Sequence, residues 1–204
     1  MKFEMTADSL LRIGMLTPSS NTVVEPVVAD MLASLPEVTA HAARLRVTEI
    51  SLTNKSQSQF AMETMLAAGD LLADAQVGIM GWNGTSASWL GFDLDQRLCD
   101  AMTTRFAVPA TSAVLAINEL LETLGCHRIA MVTPYVDDIQ ARILSQYGDA
   151  GYECVAERHT GESVNYAFAE ITSSEIERLI REVAADGPDA IIVMCTNMRA
   201  APLV

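Results

Sequence analysis

The sequence predicts an α/β protein made of two pseudosymmetric, doubly wound parallel-sheet halves that face each other across a cleft, with the second half shorter than the first. Three observations predict this. The string Arg12-Ile-Gly-Met-Leu-Thr-Pro18 returns as Arg128-Ile-Ala-Met-Val-Thr-Pro134. Strand-like and helix-like segments alternate as β-α-β-α-β after the start of each copy, an order that calls for parallel pairing with right-handed crossovers. A later apolar strand in each copy ends on a small polar triplet, Gly84-Thr85-Ser86 in the first and Cys195-Thr196-Asn197 in the second.

The elements follow in order. Ile13–Leu16, closed by Thr17-Pro18, reads as a buried parallel strand. Thr22-Val-Val-Glu25 has the form of a capping box, and Pro26 falls within the first turn, so a helix is expected over 22–35. Leu45–Ile50 is the expected second strand. Gln59–Ala75 carries Met62, Met65, Leu66, Leu71 and Leu72 at helical spacing, and Gln76–Trp82 is the next strand. A helix over 93–105 and a strand over 107–112 complete the first half, and a helix over 113–124 follows, with Gly125 as its C-terminal stop. The second half gives a strand at 128–133, a helix at 138–149, a strand at 152–157, a helix at 173–185 and a strand at Ala190–Met194. We divide the halves as 1–112 and 113–204, with 113–124 as the linking helix. By internal comparison the second half lacks a last strand and helix.

Composition narrows the functional classes. With 204 residues the chain can bury a real core, and half of its residues are apolar while 5% are aromatic. A net charge of −13 opposes a phosphate backbone, so no nucleic-acid partner is expected. No apolar run is long enough to span a bilayer, and the start lacks a signal peptide's apolar stretch; no membrane partner and a cytoplasmic location are the expectation. The four cysteines, at 99, 126, 154 and 195, have no metal-type spacing and read as free thiols. Three scattered histidines suggest no metal site. The phosphate-loop and dinucleotide glycine signatures are missing, so the reading is of chemistry without a cofactor. The oligomeric state is left open, a homo-oligomer included.

The polar strand ends hold the candidate chemistry: Pro18-Ser19-Ser20-Asn21, Gly84-Thr85-Ser86, Pro134-Tyr135-Val-Asp137-Asp138 and Cys195-Thr196-Asn197. Ligands of parallel sheets sit at the carboxyl ends of the strands, where amide N–H groups and hydroxyls can hold a carboxylate. Each pattern also has a structural use. Ser19 to Thr22 and Asp137-Asp138 suit helix caps, Gly84 a backbone bend, and Cys195 a buried strand end. Used chemically, the Cys195 thiol is a proton donor or acceptor, and the Tyr135 hydroxyl an oxyanion donor. Cys99 and Cys126 are assigned to helix packing and a turn, and Cys154 to a strand interior. Trp82, Trp89 and Met80 serve either an apolar pocket or the core.

In combination, the repeat, the Thr-Pro-Ser-Ser-Asn-Thr opening, Gly84-Thr85-Ser86, Thr-Pro-Tyr135-Val-Asp-Asp and Cys195-Thr-Asn resemble the Asp/Glu racemase superfamily, in the branch of maleate cis-trans isomerases and arylmalonate decarboxylases. The resemblance spans nearly the whole chain. It implies two pseudosymmetric α/β domains, an active site between them, a small carboxylate or dicarboxylate substrate and no cofactor. It also implies one catalytic Cys on each half of the racemases and isomerases. Here the first position falls on Gly84, and only Cys195 remains, as in the decarboxylases. That pattern assigns Thr85, Ser86 and Tyr135 to the oxyanion set and Cys195 to protonation of a carbanion. Asn21 and Asn165 match carboxylate contacts of the isomerases. The expectation is decarboxylation of a substituted malonate-type acid; the alternatives are isomerisation or racemisation of a small dicarboxylate, or carboxylate binding without turnover.

Overall fold

The computed structural model describes residues 10–203. Two parallel sheets stand side by side. In the first, β1 (Leu11–Pro18) lies between β2 (Val38–Leu45) and β3 (Ile79–Trp82), and β4 (Ala110–Ser112) pairs with the outer edge of β3. In the second, β5 (Arg128–Thr133) lies between β6 (Glu153–His159) and β7 (Ala190–Val193). The repeated strings are therefore the inner strands of their sheets. Both are buried through their second halves, as apolar runs covered on both faces must be.

Helices cover the sheets where their apolar spacing demands. In the first half these are α1 (Val24–Leu32), the single turn α2 (Asn54–Gln57), α3 (Met62–Asp74), the single turn α4 (Ala87–Leu90) and α5 (Phe92–Phe106). The helix α6 (Ala113–Leu124) carries the chain to β5 and ends on Gly125, whose φ of +65° is the left-handed stop that glycine takes without a Cβ penalty. In the second half α7 (Asp137–Asp149) follows β5, and α8 (Ser173–Ala184) precedes β7. The side chain of Thr172 accepts the Glu175 N–H to start α8, which then buries Ile176, Leu179 and Val183 at helical spacing.

Three expectations are corrected. The second strand is Val38–Leu45, not Leu45–Ile50. The latter segment does alternate buried Leu45, Val47 and Ile50 with exposed neighbours, but past Leu45 it leaves β1 and crosses to the other half. There Glu49 forms an isolated antiparallel bridge with Val164, and the Ile50 N–H donates to the Ser163 carbonyl. The capping box at Thr22 also fails. The Asn21 carboxamide oxygen accepts both the Val23 and Val24 N–H groups, while the Thr22 N–H donates to Asn197. Likewise Asp137 and Asp138 lie in the first turn of α7 but neither is its N-cap, which is Val136.

The halves differ at one edge. The outer edge of β3 is covered by β4, whereas the outer edge of β7 has no partner strand among the described residues. Beside β7 runs an apolar groove of about 650 Å³, walled by Val27, Val28 and Met31 of α1, Ile117 of α6, and Ile191 and Val193 of β7 itself. Among the described residues no helix is long and apolar enough to cross a membrane.

Candidate active site

The carboxyl ends of β1, β3, β5 and β7 converge on one small cavity of about 20 Å³, room for roughly one water molecule. Asn21, Gly84, Thr85, Ser86, Tyr135, Asn165, Cys195 and Thr196 all line it, so eight of the eleven candidate residues are brought together. They come from both halves and from loops up to 175 positions apart in sequence. The convergence follows from parallel topology, which points every strand's end at the same side of its sheet.

At its centre the Tyr135 hydroxyl lies 2.6 Å from Thr85 Oγ1 and also interacts with the Cys195 thiol. Tyr135 is fully buried and its ring is wedged edge-on between Trp89 and Phe168, at centroid distances of 5.2 and 5.4 Å. Burial, with the neighbouring thiol adding to it, holds the Tyr135 hydroxyl protonated well above the usual phenol range, against the hydrogen bond to Thr85. Burial likewise pushes the Cys195 thiol up to about 11, despite the Asn197 N–H at 3.4 Å and the Tyr135 hydroxyl, which favour the thiolate. Near neutral pH the centre is thus a pair of protonated, uncharged donors.

A second layer ties the halves together. Asn21 Nδ2 donates to Thr196 Oγ1 at 3.1 Å, and Thr196 Oγ1 donates to the Asn83 carbonyl at 2.7 Å. Asn197 uses both ends of its carboxamide: Oδ1 accepts the Thr22 N–H at 2.9 Å and Nδ2 donates to the Asn165 carbonyl at 2.6 Å. Asn165 Nδ2 in turn donates to Ser20 Oγ at 2.7 Å, and Ser20 Oγ donates to the Val47 carbonyl. Ser19, Ser20 and Asn197 do not line the cavity. The serine hydroxyls both turn to the Val47 carbonyl, and Asn197 acts as a clip between the halves.

The remaining wall is apolar and aromatic. Phe60 meets Trp82 and Trp89 edge-on at 6.3 and 6.2 Å, and Val47 and Ile50 close the side made by the crossing segment. Met80 belongs to the core. Sequence reasoning passed over Phe60, Val47 and Ile50. The alternation of 45–50 signalled burial there without naming the partner.

Gly84 faces this wall directly. A Cβ built on it would stand 2.1 Å from Trp82 Cζ2 and 2.5 Å from Trp82 Cε2, so no side chain fits at 84 while the indole stays. Cys99, Cys126 and Cys154 are free thiols in a helix, a turn and a strand, away from the cavity. No cluster of metal-binding side chains occurs among the described residues.

Comparison with known proteins agrees with this architecture. The chain is 28% identical to the maleate isomerase of Pseudomonas putida over 96% of its own length and 82% of that protein. It is 24% identical to the arylmalonate decarboxylase of Bordetella bronchiseptica, covering 91% of this chain and 76% of that one. Among solved structures, the Nocardia farcinica maleate cis-trans isomerase carrying a covalently bound succinylcysteine intermediate superposes with a TM-score of 0.83 at 23% identity, over 96% of this chain and 82% of that one. Residues 13–204, from β1 through the loop of Cys195, match the arylmalonate decarboxylase family, and the chain belongs to it.

Proposed function

We propose that the protein is a cofactor-independent decarboxylase of a substituted malonate-type acid, with Cys195 as its one proton donor. The observation that carries this reading is the asymmetry of the cavity. Cys195 stands at the end of β7, and the equivalent end of β3 offers Gly84, with the Trp82 indole filling the space a side chain there would need. Racemisation requires an acid or base on each face of a planar intermediate. Isomerisation through a covalent adduct requires a nucleophile opposite the acid. Decarboxylation requires neither.

The residues divide the work as follows. The bond between the α carbon and one carboxylate breaks, carbon dioxide leaves, and the electron pair passes into an enediolate on the carboxylate that stays. Thr85 and Tyr135, already 2.6 Å apart, donate to that oxyanion, with Ser86 and Asn21 on the same cavity wall. An oxyanion donor of this kind is worth about 2.7–4 kcal/mol. The Cys195 S–H then gives its proton to the α carbon, and the resulting thiolate regains one from water. A thiol held protonated by burial suits an acid better than a nucleophile. The cavity holds about one water, so a malonate-sized acid needs more room, and Thr85, Cys195 and Thr196 also border the apolar groove of about 650 Å³ beside β7. The segment 46–53, without regular structure and clipped to the second half through Glu49 and Ile50, is the wall with least to lose by moving.

The test is a panel of substituted malonates in D2O with the purified protein. The expected product carries one deuterium at the α carbon in a single configuration, and a racemic product would overturn the one-sided mechanism. A second reading, maleate cis-trans isomerisation, is favoured by the 28% identity to a maleate isomerase and by Asn21 and Asn165 lining the cavity. Fumarate formed from maleate would replace the decarboxylase reading with this one.

A further inference from the structure

A run of hydrogen-bonded side chains leads from the rim of the second half to the backbone of Tyr135. Gln140 is only 2% exposed, on the face of α7 that also buries Ile139 and Ile143. Both ends of its carboxamide are used: Nε2 donates to Glu157 Oε2 on β6 at 2.9 Å, and Oε1 accepts from the Thr133 hydroxyl at 2.7 Å. The Thr133 oxygen in turn accepts the Tyr135 N–H at 3.4 Å. On the outside, His159 lies 2.9 Å from Glu157 and 2.9 Å from Asp137, pinning the Glu157 carboxylate between β6 and the start of α7. The chain beyond β6 grips the same loop from its carbonyl side, with the Glu162 N–H on the Pro134 carbonyl at 2.8 Å and the Gly161 N–H on the Tyr135 carbonyl at 3.2 Å.

The polarity of this relay is set from its outer end. A carboxylate only accepts, so Glu157 requires the NH2 end of Gln140 to face it. The carboxamide oxygen is then turned to Thr133, Thr133 must spend its one hydrogen there, and its oxygen is left to accept from Tyr135. Each choice forces the next. A leucine or methionine would fill a core-facing helix position without needing any partner, whereas a buried carboxamide is tolerated only with both ends paired. What the polar relay adds is a fixed peptide. The Tyr135 N–H and C=O are both held, its ring is wedged between Trp89 and Phe168, and its hydroxyl is thereby kept against Thr85 and Cys195.

We propose that Gln140, together with Glu157 and Thr133, is a positioning residue for Tyr135: the relay fixes the peptide that carries the phenol and so aims the hydroxyl at the oxyanion of the bound acid. The proposal rests on the reading of Tyr135 as an oxyanion donor. None of the three residues lines the cavity, so their effect passes through Tyr135. An oxyanion donor acts only at the distance where charge develops, and a displacement of about 1 Å can cost on the order of 100-fold in rate.

The test joins tyrosine-ring 13C–1H spectroscopy of the full chain to steady-state kinetics on the malonate panel. The Tyr135 resonances are identified as those missing from Tyr135→Phe. Thr133→Val keeps the shape and removes the hydroxyl; it should move the Tyr135 resonances and lower kcat by about 10- to 100-fold, with KM unchanged within about twofold. Thr133→Ser, which loses packing but keeps the hydroxyl, should leave both near wild type, the reverse of what a merely structural role gives. In Glu157→Gln, at a side chain 33% exposed, the new carboxamide donates as well as accepts, the polarity of the relay is no longer forced, and the Tyr135 resonances should broaden or split. Tyr135 resonances that stay as in wild type in Glu157→Gln overturn the proposal whether or not Thr133→Val folds, and so does unchanged kcat in a folded Thr133→Val. If the resonances respond as expected but the wild type turns over none of the malonates, the positioning of Tyr135 stands and the decarboxylase reading fails.

Discussion

The loop after β3 and the loop after β7 occupy equivalent places in the two halves, yet they present opposite chemistry. The second offers a buried protonated thiol, the first a bare backbone at Gly84 backed by an indole. The same contrast recurs at the sheet edges, where β3 is covered by β4 and β7 borders an apolar groove. Duplicating a fold preserves strand order and the direction of strand ends, because these follow from handedness and hydrogen bonding. It does not preserve what stands at those ends. A symmetric scaffold therefore carries an asymmetric cavity, and the proposed one-sided reaction rests on that asymmetry.

The sharpest way to break this comparison is to remove the thiol. Cys195→Ala should lower turnover of a malonate-type acid by at least about a thousandfold while circular dichroism stays unchanged, since the remaining donors hold the anion but cannot protonate carbon. Retained turnover would move the proton donor elsewhere. Next in size is Tyr135→Phe, expected to lower kcat by about 100- to 1,000-fold through loss of one oxyanion donor. Steady-state kinetics checks it.

Asn197→Ala tests the clip between the halves. It leaves the Thr22 N–H and the Asn165 carbonyl without their partners, and urea denaturation should show a loss of about 2–4 kcal/mol. Gly84→Cys probes the symmetry itself. With Trp82 in place the new side chain overpacks the wall and should cost about 1–3 kcal/mol without adding proton exchange on the second face. The double exchange Trp82→Val with Gly84→Cys makes room for the thiol, and α-deuterium exchange into both enantiomers of the product is the expected gain. The smallest effect is that of pH. The acid must be protonated, so its activity is full below its pKa and is lost as pH rises through it. With burial holding Cys195 near 11, kcat should stay level from pH 6 to 9 and fall only above that range.

Much of the fold was legible because apolar runs and helical spacing report burial directly. Residues 113–124 and 128–133 were located to the residue, and the other helices and strands, apart from β2 and the single turns α2 and α4, within a few positions. The strand β2 escaped because Val-Thr-Ala-His-Ala-Ala-Arg-Leu has little apolar content, and pairing with β1 supplies what its pattern lacks. Its neighbour 45–50 has the alternation of a half-buried strand, but the surface that buries it belongs to the other half. The cap of α1 was misread for a similar reason. Thr22 and Asn21 both suit a cap, and the choice is made by Asn197, which takes the Thr22 N–H from 175 residues away.

By itself the sequence determined the two parallel sheets, the convergence of four polar strand ends, and the presence of one thiol where the repeat provides two places. These depend on patterns that act over a few residues or on direct comparison of the copies. Only the tertiary structure decided which of those polar groups face the cavity and which clip the halves together. It alone set Trp82 against Gly84 and buried Cys195 deeply enough to keep its proton. Such outcomes depend on distance, desolvation and the crowding of side chains brought in from remote parts of the chain, none of which is written in local order.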